Sequence, residues 1–258
     1  MSGDLHEITK IMGVDEETLR VLPKIKYDGN LLNPWGDELL NIFRSLNLSA
    51  QKTMLDIPCG QGGVSVYLAK EYGVAVDGYD LFQGFIDNAN KYAAEHNVQS
   101  LCHFFAEDIR VAIEKGKEYD VVLWSAPPHL WENYAQTVRN LRKCVKRDGY
   151  IVIADAYSYA SEIKEKHSDY ETLEETLKSV TVCGDTIVKY TDYKGTLWAE
   201  NYQSDREAII MAIYNADNQM EKEVLEKYLE DINASELSDT ECFGLYILVL
   251  QVVEHGNA

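Results

Sequence analysis

The chain has 258 residues, of which 46% are hydrophobic and 26% charged, a composition that excludes a disordered or fibrous protein and allows one sizeable core. Its 43 acidic and 24 basic residues give a net charge of −19, which argues against a nucleic acid or an anionic membrane surface as the main partner. The five cysteines are scattered and never occur in C-x-x-C spacing, so disulfide frameworks and zinc sites are disfavoured. Because neither a signal peptide nor an apolar run of about 20 residues is found, we expect a soluble cytoplasmic protein.

The first 49 residues are expected to form a helical cap. A short helix is predicted over residues 15–21, before Pro23, and a second helix is predicted after the turn Asn33-Pro34-Trp35. The apolar face of the second helix comprises Leu39, Leu40, Ile42, Phe43 and Leu46.

A strand, a glycine-bearing loop and a helix follow the cap in direct succession. The strand is predicted at 53–57 and the helix at 63–72, with Gly73 suited to a left-handed C-cap. This order brings backbone N–H groups and a helix N-terminus close to a ligand. Glycines suit the loop because a Cβ atom would block that approach or forbid a turn with positive φ. The loop glycines are Gly60, Gly62 and Gly63.

Further strands alternate with helices as far as residue 155. This alternation predicts βαβ crossovers and a parallel sheet, with residues 50–155 as its ligand-binding core. The predicted strands cover residues 74–79, 101–105, 119–125 and 150–154, and a helix is predicted at 131–145.

The pattern changes after residue 155. A helix at about 168–179 is followed by a strand-like stretch at 179–190 and by a polar, aromatic loop that contains Trp198. A long amphipathic region at 205–232 precedes a last strand at 242–253. We therefore expect a single domain over residues 1–258, with a helical lid inserted at 191–235.

Polar residues occur where successive strands end, which is where open α/β sheets bind ligands. Asp56 and Asp80 end the first two strands, Asp108 and Ile109 follow the third, and Ser125 ends the fourth. A carboxylate at such a position is often a helix N-cap. Three acids in this order on one sheet nevertheless favour a ligand that contains a nucleoside.

These residues resemble the class I S-adenosylmethionine-dependent methyltransferases, whose first motif has an acid shortly before a G-x-G loop. The resemblance implies a Rossmann-like, seven-stranded, mostly parallel sheet with an antiparallel last strand and helices on both faces. It also implies S-adenosyl-L-methionine as the cofactor. The residues that it assigns to the cofactor are Asp56 beside the loop, Gly60 and Gly62 in the cradle, Asp80 at the ribose, Leu81, Asp108 and Ile109 at the adenine, and Ser125 near the methionine.

Four further features of the sequence refine the comparison with this family. The tail at 241–246 and the Asn33-Pro34-Trp35 entry resemble an uncharacterised bacterial subgroup that acts on small molecules. Pro58 replaces the first glycine of the loop and removes one N–H donor. The stretch at 125–129, S-A-P-P-H, departs from the amine-methylating pattern, so methylation of nucleic-acid or protein amides is not inferred.

Candidates for the chemical step lie near the predicted ligand edge. His129 is the candidate base, because a histidine side chain titrates near neutral pH, although an exposed loop histidine is an equal alternative. Asp155 and Tyr157, just after the fifth strand, are expected where the substrate enters. Trp131, Trp198 and Tyr202 are candidates to bind the substrate, with core or lid packing as the alternative.

Two other functions stay open at this point. A nicotinamide-dependent oxidoreductase would also use Asp80, but Ser65 stands where the third glycine of its G-x-G-x-x-G motif would fall. A non-catalytic S-adenosylmethionine-binding partner protein is the second alternative. No cluster of metal ligands is visible in the sequence, so no metal is expected.

Overall fold

Seven strands form one sheet in the order β3-β2-β1-β4-β5-β7-β6. The computed structural model describes residues 5–31, 35–127, 130–159, 170–194 and 196–253. The strands are β1 Thr53–Ile57, β2 Ala75–Asp80, β3 Cys102–Ala106, β4 Tyr119–Ser125, β5 Val145–Ser158, β6 Thr186–Lys194 and β7 Phe243–Gln251. Strands β1 to β5 pair in parallel, whereas β7 runs antiparallel to both β5 and β6. The predicted Rossmann-like sheet with an antiparallel last strand is confirmed.

Helices cover both faces of this sheet and extend beyond its ligand edge. They are α1 Leu5–Met12, α2 Glu16–Val21, α3 Gly36–Phe43, α4 Gly63–Tyr72, α5 Gln83–Glu95, α6 Ile109–Glu114, α7 Tyr134–Leu141, α8 Leu173–Val180, α9 Thr196–Tyr214 and α10 Gln219–Cys242. Capping residues mark where several of these helices begin and end. Asp15 caps α2 by accepting from the Thr18 N–H at 2.8 Å, and Gly73 ends α4 with φ of +69°.

The core has one layer on each face of the sheet, because consecutive strand residues point to opposite faces. On β4, Val121 and Leu123 join the layer beneath α3 and α4, while Val122 and Trp124 join the layer beneath α6, α7 and α8. All four side chains are at most 2% exposed. Burial on both faces explains why this strand is almost continuously apolar.

A third apolar cluster joins the two ends of the chain. Leu19 and Ile25 from the N-terminal segment pack with Ile209 of α9 and Leu225 of α10, and Phe85 of α5 completes the contact. The N-terminal segment at 5–31 and the helices α9 and α10 thus form a composite cap, which we call the cap below.

Four predicted elements differ from the structure. Strand β5 begins at Val145, inside the predicted helix, because Val145 is buried and pairs with Tyr119 of β4. The stretch at 179–185 is not a strand, since α8 continues to Val180 and β6 begins at Thr186. The predicted aromatic loop is the first part of α9, and the long helical region is two helices with a break at 215–218.

Within the described ranges, no helix has the length and apolar character that a membrane crossing requires.

Candidate functional site

A cavity of about 420 Å³ lies between the carboxyl ends of the central strands and the cap. Its size is typical of a small-molecule site. Its wall on the sheet side includes Asp56, Pro58, Cys59, Gly60, Asp80, Leu81, Asp108, Ile109, Arg110 and Ser125. The cofactor residues proposed from the sequence therefore converge here, except that Gly62 lies just behind the wall as the N-cap of α4.

Asp80 is bonded to the loop that follows β1. Its Oδ2 accepts a hydrogen bond from the Gly60 N–H at 3.0 Å, and its Oδ1 accepts one from the Phe82 N–H at 2.9 Å. Burial raises the pKa of Asp80 to about 6, although the two N–H donors lower it. The carboxylate is therefore mostly ionised at neutral pH, and it retains lone pairs for a ligand because a carboxylate has about four acceptor sites.

Asp56 is the second buried carboxylate of the cavity. Its Oδ2 accepts from the Ser65 hydroxyl at 2.6 Å. Burial and the neighbouring Asp80 charge together raise its pKa to about 7, against the lowering effect of the Ser65 hydrogen bond. Ser65 therefore orients Asp56, a role that the sequence analysis did not recognise. This contact could have been predicted from the sequence, because Ser65 lies on the first turn of α4, directly after β1 and its loop.

Gly62 permits the close approach of the loop to α5 and β3. Its φ is +79°, and an added Cβ atom would lie 2.9 Å from both Ala89 Cβ and Phe104 Cζ. Neither contact can be relieved cheaply inside a packed layer. A residue with a side chain at this position would displace the start of α4 from the cavity.

The hydroxyl of Ser125, at the end of β4, is buried without a hydrogen-bond partner among the described residues. The side chain is 7% exposed, and among the described residues its Oγ makes no hydrogen bond. Buried polar atoms are nearly always paired, so an orphan in a cavity wall indicates a ligand contact.

Asp108 and Arg110 form an ion pair beside the cavity. Asp108 caps α6 by accepting from the Arg110 N–H at 2.8 Å, and Arg110 Nε lies 3.0 Å from each Asp108 carboxylate oxygen. The Arg110 side chain holds the pKa of Asp108 below its ordinary value. Arg110 lines the cavity although the sequence analysis did not select it; its position two residues after Asp108 is the only local signal.

The cap supplies the opposite wall, and its members carry no recognisable motif. Most are apolar residues that the sequence analysis did not select as site candidates. They are Ile8, Met12, Leu22, Tyr27, Leu31 and Tyr228, together with Phe85 of α5.

A side-chain amide connects the cap to the loop. Gln61 is 1% exposed, and its Nε2 donates to the Ile25 carbonyl at 3.3 Å. Its Oε1 accepts from Asn88 Nδ2 at 2.8 Å, and the same Asn88 nitrogen donates to the Pro23 carbonyl at 2.7 Å. The loop after β1, the helix α5 and the cap are thus joined by hydrogen bonds at one place.

Asp155 and Tyr157 do not line the cavity, and each has a protein partner. Asp155 accepts from the Tyr134 hydroxyl, and the Tyr157 hydroxyl donates to Asp192 Oδ1 at 2.8 Å. His129 lies outside the described residues. The roles of these three in the chemical step stay predictions.

The three candidate substrate-binding aromatics have protein partners of their own. Trp131 packs against Trp124, with ring centroids 5.3 Å apart. Trp198 Nε1 donates to the Phe243 carbonyl at 2.9 Å, and the Tyr202 hydroxyl donates to Asp239. A role in substrate binding likewise stays a prediction for each of them. In the described part of the chain, no group of three or more His, Cys, Asp or Glu side chains could hold a metal ion.

The chain matches a family model described as a methyltransferase domain over residues 54–149. It is 32% identical over 101 residues to a ubiquinone biosynthesis O-methyltransferase of Rickettsia bellii, covering 39% of this chain and 40% of that protein. It is 36% identical over 106 residues to a 2-methyl-6-phytyl-1,4-hydroquinone methyltransferase of Synechocystis, covering 40% of this chain and 31% of that protein. The chain spans less than half the length of the curated relatives that it matches.

Solved structures share the fold over nearly the whole chain. A methyltransferase from Geobacter sulfurreducens, in complex with S-adenosyl-L-homocysteine, has a TM-score of 0.73 at 19% identity, covering 91% of this chain and 97% of that one. YjhP from E. coli has a TM-score of 0.71 at 20% identity, covering 91% of this chain and 99% of that one. The chain thus matches the methyltransferase-domain family over residues 54–149 and shares its overall fold with these two solved structures.

Proposed function

We propose that this chain is an enzyme that transfers a methyl group from S-adenosyl-L-methionine to a small-molecule acceptor. The observation that carries the proposal is the convergence on one cavity of residues from the ends of β1, β2, β3 and β4 or the loops after them: Asp56, Gly60, Asp80, Asp108 and Ser125. The relative named for ubiquinone biosynthesis supports a small-molecule acceptor.

The residues of the cavity fit this cofactor. Asp80 would accept hydrogen bonds from the ribose hydroxyls, and Leu81 and Ile109 would pack on the adenine. Ser125 would gain the partner that its hydroxyl lacks among the described residues. Asp56 and Asp80 together provide a negative field that suits a cationic sulfonium better than a phosphate.

When bound, S-adenosylmethionine supplies a methyl group that is already activated as a sulfonium. The chain's own contribution is then to hold the acceptor in line and to keep water out. The cap keeps water out by covering the cavity with apolar side chains. An acceptor oxygen or ammonium must also lose a proton, and we propose His129 as the base, with Asp155 and Tyr157 near the substrate entrance.

Several wider features belong to the same proposal. We propose a single domain over residues 1–258, with an N-terminal cap at 1–49, a cofactor core at 50–155 and a lid at 191–235. Trp131, Trp198 and Tyr202 are proposed to border the acceptor.

The net charge of −19 argues against a nucleic-acid partner, and five free cysteines support a reducing, cytoplasmic location.

Calorimetric titration tests the proposal against its two alternatives. We expect S-adenosylhomocysteine to bind and NADH not to bind; NADH binding without S-adenosylhomocysteine binding would favour an oxidoreductase. A non-catalytic partner protein would bind the cofactor and show no methyl transfer to any acceptor. A co-complex with S-adenosylhomocysteine checks the site itself, because a ribose remote from Asp80 would refute the assignment.

A further inference from the structure

Two side-chain amides join the loop after β1, the helix α5 and the cap. Asn88 Nδ2 carries two protons, and it donates one to the Pro23 carbonyl at 2.7 Å and the other to Gln61 Oε1 at 2.8 Å. Gln61 Nε2 donates in turn to the Ile25 carbonyl at 3.3 Å. We call the side chains of Gln61 and Asn88 the junction below. It connects three elements that are distant in the sequence.

On the loop side, the junction lies one residue from a contact of the carboxylate assigned to the ribose. The Gly60 N–H donates to Asp80 Oδ2 at 3.0 Å, and Gln61 follows directly. The glycines on either side of Gln61, Gly60 and Gly62, have φ angles of +50° and +79°. Glycine loses more conformational freedom than any other residue when it is held in place. A ligand bound to Asp80 and to this loop would therefore restrict the backbone on both sides of Gln61.

On the cap side, the junction holds the stretch that follows α2 and lines the cavity. The lining residues of this stretch are Leu22, Tyr27 and Leu31. The carbonyls that accept from the junction belong to Pro23 and Ile25, which lie between the first two of them. Ile25 is fully buried in the third apolar cluster, so this stretch is packed as well as hydrogen-bonded. The junction thus helps to set where this part of the cap wall lies.

We propose that the junction makes closure of the cap depend on the cofactor. A bound cofactor holds the glycine loop, and Gln61 and Asn88 transmit this restraint to the stretch after α2. The acceptor wall is then completed over an occupied cofactor site, so the cofactor binds before the acceptor. Asn88 does not line the cavity, and its role is that of a positioning residue. The inference rests on the proposed function, because it assigns the loop after β1 to S-adenosylmethionine.

Such coupling acts equally in both directions. If the cofactor favours the closed cap by a given factor, the closed cap tightens cofactor binding by the same factor. Restraint of a flexible loop can produce this coupling without a large change of structure. Loss of the Asn88 amide should therefore lower both the protection of the cap and the affinity for the cofactor. A residue that only stabilises the cap would change its opening equally in the free and the bound protein.

Hydrogen exchange of the full-length protein, with and without saturating S-adenosylhomocysteine, tests the proposal. In the wild-type protein we expect the ligand to slow exchange of the amides of α2 and the stretch after it by at least about fivefold. In Asn88→Ala this ratio should fall below twofold, and calorimetry should show an affinity weakened by a factor similar to the ratio lost. Asn88→Leu removes the same donor but keeps the size of the side chain, and it should give the same result with less risk of misfolding.

Two control variants separate coupling from simple loosening. Asn90→Ala removes an exposed amide of α5 that donates to the Ile86 carbonyl of the same helix at 3.0 Å. It should keep both the exchange ratio and the affinity. Lys24→Gln removes the ion pairs with Asp217 and Glu221 at the other side of the cap. It should speed exchange with and without the ligand alike and leave the ratio unchanged.

The possible results have distinct meanings. An undiminished ratio in folded Asn88 variants would overturn the inference, because the cofactor would then protect the cap by direct contact. Binding of S-adenosylhomocysteine to the wild-type protein without slower exchange in the cap would overturn it as well, and in both cases the proposed function would stand. Failure of the wild-type protein to bind S-adenosylhomocysteine would overturn the proposed function, and the inference with it.

Discussion

The Gly60 N–H lies 3.0 Å from Asp80 Oδ2, so the acid that ends β2 holds the loop that follows β1. Asp80 also lines the cavity. Its carboxylate therefore forms part of the binding surface and also holds the loop that forms the adjacent part of that surface. A change at Asp80 is therefore expected to remove a direct contact with the cofactor and also to loosen the loop after β1. A change at a residue that only contacts the cofactor would have the first effect alone.

Asp80→Asn should weaken S-adenosylhomocysteine binding by roughly 10- to 150-fold, because a hydrogen bond to a charged group contributes roughly 1.5–3 kcal/mol. Isothermal titration measures the effect directly. Asp87→Asn makes the same chemical change at an exposed position of α5, where the carboxylate accepts from Gln83, and it should change the affinity less than twofold. A folded Asp80→Asn protein with wild-type affinity would contradict the assignment.

Asp56→Asn should stabilise the ligand-free protein at pH 8. The folded-state pKa of Asp56 is raised to about 7 from an ordinary 3.8, so folding opposes its ionisation. Its contribution to stability is present below pH 3.8, declines as the pH rises toward 7 and stays low above that. Urea unfolding should therefore show a gain that grows between pH 4 and pH 7 to on the order of 2 kcal/mol. A gain that shrinks with rising pH would contradict this linkage.

Gly62→Ala should cost more stability than Gly184→Ala, although the two glycines have nearly equal φ angles of +79° and +81°. An alanine at Gly62 meets Ala89 and Phe104 at 2.9 Å, whereas at Gly184 an added Cβ atom meets nothing within 4 Å. The Gly184 variant isolates the backbone penalty, about 1–2 kcal/mol, and overpacking should add about 1–3 kcal/mol at Gly62. Chemical denaturation of both variants gives the difference, and equal losses would argue against a crowded loop.

Lys24→Gln should loosen the cap. The Lys24 ammonium lies 2.8 Å from Asp217 Oδ2 and also pairs with Glu221, whose side chain is 8% exposed, so its loss leaves a buried carboxylate with less compensation. Backbone amides of α2 are expected to exchange hydrogen several-fold faster, with a smaller difference in high salt. Arg20→Gln removes only the exposed pair with Glu16 and is the control. Unchanged exchange in Lys24→Gln would show that the Lys24 ion pairs do not hold the cap closed.

The sheet side of the site could be predicted because its signals are local. Strands β1, β2 and β4 carry Asp56, Asp80 and Ser125 at or next to their carboxyl ends, and the strand ends of a parallel sheet meet at one edge. Ser125 and Asp80 thus lie in the cavity wall where their positions in the sequence indicated. The order of the strands, by contrast, came from resemblance to a family and not from residue spacing.

The cap side could not be predicted, because it depends on contacts between distant parts of the chain. Met12 and Tyr228 share one cavity wall although they belong to the first and the last described helices. Neither carries a motif, and apolar periodicity alone cannot say which neighbour a helix face will meet. Trp198 was assigned to a loop for a related reason: its polar neighbours suggested exposure, whereas its indole N–H bonds to the Phe243 carbonyl from within α9.

The bond between Gln61 and the Ile25 carbonyl limits how this chain can be redesigned. A hybrid that received the cap of a relative would have to present a carbonyl at the same point, or position 61 would have to change with the cap. Since Gln61 lies between the glycines of the cofactor loop, that second change would disturb the cofactor site as well. New acceptors are therefore more readily obtained by replacing single side chains such as Ile8 or Met12 in place than by exchanging the cap as a module.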